Sequence, residues 1–105
     1  MIDLREKDQQ ALIDIAGQTL PADAQLWAYG SRVKGTNHDT SDLDLVIKMP
    51  AGQTLPLDTL DEFQTALRDS NIPILIQAFD WDRLPQTFHA NILAAHEVLW
   101  AGAES

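Results

Sequence analysis

Asp42 and Asp44, two aspartates separated by one leucine, are the residues of this sequence best arranged to do chemistry. They open the run Ser41-Asp42-Leu43-Asp44-Leu45-Val46-Ile47. Side chains two apart on a strand leave from the same face. Both carboxylates would then project together, with Leu43, Leu45 and Ile47 on the opposite side. Carboxylates held that close repel each other unless a cation or a proton stands between them. Magnesium takes oxygen ligands and binds through one or two carboxylates plus substrate phosphates. The pair therefore suits a metal–nucleotide site, and it equally fits the solvent side of an acidic strand. Upstream, Gly30-Ser31 follows a short β-like run. Glycine lets backbone amides approach a ligand closely, and free N–H groups at a helical turn starting at Ser31 would point at a bound anion. The same pair also reads as a plain turn. Arg32 and Lys34 add positive charge beside it, from a total of seven basic residues. In so acidic a chain such a spot can hold a triphosphate, and it also fits two solvated loop charges.

The elements that must position these residues follow from periodicity. Leu12, Ile15, Ala16 and Thr19 recur at helical spacing and predict a helix over 3–18, stopped by Gly17 and Pro21. Gln25 to Tyr29 alternates and predicts a strand leading directly into Gly30-Ser31. Asn37 to Ser41 is a polar loop, and Leu43 to Lys48 is a second strand. A loop over 50–56 precedes a helix over 58–70, buried through Leu60, Phe63 and Leu67 and capped by Asp58. Ile74 to Phe79 is apolar apart from Gln77, which predicts a strand covered on both faces. A last helix over 85–95 has Leu84, Phe88, Ile92, Ala95 and Leu99 on its apolar side, and 96–100 forms a final short strand. The expected architecture is α+β, a layered sheet with helices packed against it.

Composition narrows the function classes. The chain has 105 residues, which predicts a single domain over 1–105 with one core. Sixteen acidic against seven basic residues leave a net charge of −9. That argues against duplex nucleic acid, whose phosphates are bound by lysine and arginine, and against an anionic membrane surface. The absence of cysteine excludes disulfides, cysteine–zinc sites and a thiol nucleophile. With neither a bilayer-length apolar run nor a signal-peptide core at the start, the expectation is a soluble cytoplasmic protein. His38 reads as a solvated loop residue, and His89 and His96 as surface or interface residues. Trp27, Trp81 and Trp100 read as core or edge packing.

Gly30-Ser31-Arg32-Val33-Lys34-Gly35, followed by Asp-x-Asp at the head of an apolar strand, resembles the minimal nucleotidyltransferases of the DNA polymerase beta superfamily. The segment 72–81 and the helix after it resemble that family's third strand and C-terminal helix. The resemblance implies a polymerase beta-like fold, a small mixed sheet with helices packed against it, in which Gly30, Ser31 and Arg32 bind the nucleotide and Asp42 and Asp44 ligate two Mg²⁺. It implies transfer of a nucleotide, AMP from ATP, to a hydroxyl, with pyrophosphate released. It also implies a small helical partner of the HEPN type, this chain being the antitoxin of a toxin–antitoxin pair. With one domain, the acceptor surface must come from such a partner or from a second copy in a homo-oligomer.

The third strand departs from the family pattern. Where the family reads Val-Asp-x-x-Asp-Trp, this chain reads Ile76-Gln77-Ala78-Phe79-Asp80-Trp81. Gln77 therefore stands at the third carboxylate position. Asp80 is three residues on, and in a regular strand it faces the other way. Gln77 sets up the alternative reading, a catalytically degraded relative that acts as a nucleotide- or partner-binding module.

Overall fold

The computed structural model of the chain describes residues 4–30 and 42–102. The order of elements is α1 (Glu6–Thr19), β1 (Gln25–Tyr29), β2 (Leu43–Lys48), α2 (Leu57–Arg68), β3 (Ile76–Asp80), a 3₁₀ turn (Trp81–Arg83), α3 (Gln86–Ala94) and β4 (His96–Ala101). The four strands form one sheet in the order β3-β2-β1-β4. β1 runs antiparallel to both β2 and β4, and β2 runs parallel to β3, so the sheet is mixed, as the family resemblance implies. Among the described residues no helix is long and apolar enough to cross a membrane.

The alternation in β2 decides which face is which. Leu43, Leu45 and Ile47 are fully buried and join Leu26 and Ala28 of β1 in the main core. α1 and α2 cover that face through Leu12, Ala16, Phe63 and Leu67. Phe63 is fully buried, worth about 1.5–3 kcal/mol relative to an exposed phenylalanine. On the opposite face a smaller cluster of Trp27, Val46 and Ile92 packs with Tyr29, Trp81 and Leu84. α3 thus covers only part of that face.

Four local expectations need correction. Gly17 does not end α1, which continues to Thr19. A helical glycine costs about 1 kcal/mol, and the packing of Leu12 and Ala16 outweighs it. α2 is capped by Pro56 with no side-chain cap, while Asp58 lies in the first turn, where its charge suits the helix dipole. β3 is covered on one face only, with Ala78 and Asp80 buried but Gln77 exposed and Phe79 half-buried; it is also an edge strand, and Leu75 just before it is 64% exposed. Gln64 Nε2 donates to the Ala78 carbonyl at 3.0 Å, satisfying one backbone group of that edge strand. In α3 only Ile92 is buried, and Phe88 is exposed.

Candidate functional site

Strand register assembles the site. Tyr29 lies opposite Asp44 in the antiparallel ladder, and Gln77 lies opposite Asp44 in the parallel one. Register partners share a sheet face, so Tyr29, Asp44 and Gln77 form one row across three strands. Asp42 precedes β2 and points the same way, because Gln77 Nε2 donates to Asp42 Oδ2 at 3.0 Å. An ionised carboxylate only accepts hydrogen bonds, which fixes the NH₂ end of the Gln77 amide toward it.

Gly30 supplies the floor under Asp44. Its φ is +87°, a backbone conformation that side chains disfavour, and a Cβ there would fall 2.5 Å from Asp44 Oδ2. Glycine is therefore required twice over, for the left-handed turn out of β1 and for room beside the carboxylate. Ser31, Arg32, Lys34 and His38 lie outside the described residues.

The electrostatics follow from this crowding. Burial pushes the Asp44 carboxyl above the usual aspartate range, and the charge of Asp42 pushes it further. The Tyr29 phenol is pushed up to about 12, first by burial and then by the charge of Asp44. Both groups are half-buried. A site that raises the affinity of its own carboxylate for a proton is one that a cation would relieve. Its oxygen donors are two carboxylates and one neutral amide, a hard set that fits Mg²⁺ arriving with phosphates. Among the described residues no group of three or more His, Cys, Asp or Glu side chains gathers where a metal ion could sit.

Asp80 is not part of this row. The register pairs it with Ile47, on the face of the main core. It is 3% exposed, binds Arg83 Nε at 3.0 Å and accepts from the Asp82 N–H at the head of the 3₁₀ turn. Its role is to build that turn.

The histidines also differ from expectation. His89 stacks on Trp81 with centroids 3.9 Å apart, and its Nε2 donates to the Trp81 carbonyl at 2.7 Å. His96 stacks on Trp27 at 4.2 Å, and its Nδ1 donates to the Ile92 carbonyl at 3.0 Å. Both are half-buried packing residues rather than surface ones, since an aromatic partner and a carbonyl offset the loss of water. Sequence reasoning missed Tyr29 as a neighbour of Asp44. The alternation in 25–29 put it on the correct face, but only the register brings it to that carboxylate.

Comparison with known proteins bears on the family and the fold. The family model for the nucleotidyltransferase domain matches residues 10–83. A Haemophilus influenzae protein named probable protein adenylyltransferase MntA is 32% identical over 96 residues, covering 90% of this chain and 81% of that one. A chain of a toxin–antitoxin crystal structure with AMP-PNP superposes with a TM-score of 0.72 at 19% identity, over 90% of this chain and 73% of that chain. A chain from the complex of a tri-AMPylated Shewanella oneidensis HEPN toxin with an MNT antitoxin gives 0.69 at 14% identity, over 93% and 73%. These two structural likenesses bear on the fold.

Proposed function

This chain belongs to the nucleotidyltransferase domain family, and from that premise we propose that it binds ATP with Mg²⁺ and transfers AMP to a hydroxyl on a partner protein. The observation that carries the reading is the convergence of Asp42 and Asp44 on one sheet face, with Gly30 directly beneath Asp44. The related adenylyltransferase supports protein as the acceptor, and the AMP-PNP and HEPN toxin complexes support ATP and a helical HEPN-type partner. In this reading the chain is the antitoxin, and both molecules share the cytoplasm with ATP. A second copy is the other source of an acceptor surface.

Gly30, Ser31 and Arg32 bind the nucleotide phosphates. Asp42 and Asp44 hold Mg²⁺, which when bound neutralises phosphate charge and polarises the phosphoryl oxygens. The acceptor oxygen bonds to the α-phosphorus, the bond to the bridging oxygen breaks, and pyrophosphate leaves. The hydroxyl proton goes to solvent, because the neutral Gln77 amide accepts none. Loss of a positioned base typically lowers a rate by about 10²–10⁴-fold, so transfer is slow.

The test is co-expression with a helical HEPN-type protein, then incubation with labelled ATP and mass analysis of both chains. The expected result is an added AMP on the partner, lost in Asp42→Asn. Failure of ATP and Mg²⁺ to bind at all would overturn the reading. The Gln77–Asp42 hydrogen bond favours a second reading, a binding module without transfer. It predicts tight nucleotide binding, no label on the partner, and gain of transfer in Gln77→Asp.

A further inference from the structure

We infer that this site takes one divalent cation per bound nucleotide, because Gln77 sets a neutral hydrogen-bond donor against the very carboxylate that a second cation would need. The inference rests on the nucleotide–metal reading above and adds a stoichiometry to it.

Position comes first. Gln77 is directly across from Asp44 on the neighbouring strand, and its Nε2 reaches Asp42 Oδ2 at 3.0 Å. Parallel strands lie about 4.8 Å apart, so the amide sits among the site's ligands. Its NH₂ group occupies one carboxylate oxygen and brings partial positive charge to it. The only oxygen it offers in return is a neutral carbonyl.

Charge comes second. Asp42 and Asp44 together carry two negative charges, enough to balance one divalent ion. Paired metal ions sit about 3.5–4 Å apart, and their mutual repulsion is about fourfold that of two unit charges. A second cation therefore needs anionic oxygens of its own on the side away from the phosphates, and the residue at position 77 supplies none. The phosphates of the nucleotide ligate the cation that arrives with them.

Order comes third. Asp42 is held by the Gln77 amide, and the Asp44 carboxylate lies so close to Gly30 that a side chain there would collide with it. The two carboxylates share one sheet face, where one ion can take both as ligands. Gln77 itself is solvent-exposed on an edge strand, so its replacement leaves the core intact.

The experiment is equilibrium dialysis of the whole chain with Mn²⁺ and AMP-PNP, reading the excess of manganese over the excess of nucleotide on the protein side. Electron paramagnetic resonance of the same samples reports manganese–manganese coupling. Wild type and Gln77→Ala are expected to retain one Mn²⁺ per nucleotide with no coupling. Gln77→Asp is expected to retain two, with coupling. Two ions in wild type, or one in Gln77→Asp with its fold confirmed by circular dichroism, would overturn the inference. Failure of all three proteins to take up nucleotide with Mn²⁺ would instead sink the nucleotide–metal reading, and the stoichiometry with it.

Discussion

Along the sheet face that α3 partly covers, Gln25, Trp27 and Tyr29 of β1 run beside Lys48, Val46 and Asp44 of β2. Within the length of one strand, aromatic packing gives way to crowded carboxylates. At the aromatic end Trp27 meets Trp81 edge-on at 5.5 Å, and each ring carries a stacked histidine. The polar atoms there are paired: Trp27 Nε1 donates to Gln25 Oε1 at 2.8 Å, and each histidine donates to a carbonyl. Lys48 Nζ lies 5.3 Å from the Trp81 ring centroid, within cation–π range. At the carboxylate end burial raises both Asp44 and Tyr29, and the charges of Asp42 and Asp44 respectively raise them further. One end of the face holds the fold, and the other gives up part of that stability to crowded carboxylates.

Substitution at the aromatic end should give the largest effect. Trp27 is 9% exposed and contacts both Trp81 and His96. Trp27→Ala should cost about 3–5 kcal/mol, the usual range for a buried aromatic. Urea denaturation checks this against a whole-domain stability of about 5–15 kcal/mol. A loss below about 1 kcal/mol, within the range of surface changes, would show that this end is not the anchor.

Gly30→Ala attacks the junction between the two ends. The left-handed backbone costs about 1–3 kcal/mol for a side chain, and the new Cβ also meets Asp44 Oδ2 at 2.5 Å. In an Asp44→Ala background the second cost disappears and only the backbone cost remains. The paired measurement should therefore be non-additive. Strict additivity would mean that Gly30 and Asp44 are not in contact.

How much of this was legible depended on which residue carried the signal. β2 was legible because its apolar and acidic positions alternate without exception from Asp42 to Leu45, and that alternation fixes the face of both carboxylates. The orientation of Gln77 followed from strand parity and the position of Asp80-Trp81. The edge position of β3 was not legible, since an apolar run does not state which strands flank it. Gln64 shields that edge with a side chain from a different element. The histidines were misread for a related reason: their stacking partners Trp27 and Trp81 are distant in sequence or meet them only through the turn at 81–83. At β3 and at the histidines what failed was tertiary adjacency, while at Gly17 and Asp58 it was the reading of local start and stop signals.

Neutralising the carboxylate end should have the opposite sign. Asp44 has its proton affinity raised by burial and by Asp42, so ionising it works against the fold. The folded state then favours the protonated form, and that contribution is lost as pH rises through the folded-state value. At neutral pH Asp44→Asn should therefore stabilise the chain, by no more than about 1 kcal/mol because the group is half-exposed and screened. The gain should shrink toward zero once the solution is more acidic than the ordinary aspartate range. Thermal melts at several pH values check both parts, and a destabilised variant at neutral pH would contradict the reading of this end as strained.

The smallest effect is the most cleanly observed. Tyr29 is the single tyrosine of the chain, so phenolate absorbance reports it alone. Its midpoint should lie at about 12, against an ordinary value of about 10. Burial is the larger cause and Asp44 the smaller, so Asp44→Asn should lower the midpoint without returning it to the ordinary value. Between the two values the unfolded phenol ionises before the folded one. The unfolded chain then binds fewer protons, and stability falls as pH rises across that window. Tyr29→Phe lacks the ionisation, so subtracting its stability curve isolates the fall from the titration of the basic residues. A midpoint that returns fully to about 10 in Asp44→Asn would make the carboxylate, not burial, the dominant cause. The two ends of the face would then be coupled through charge rather than through packing.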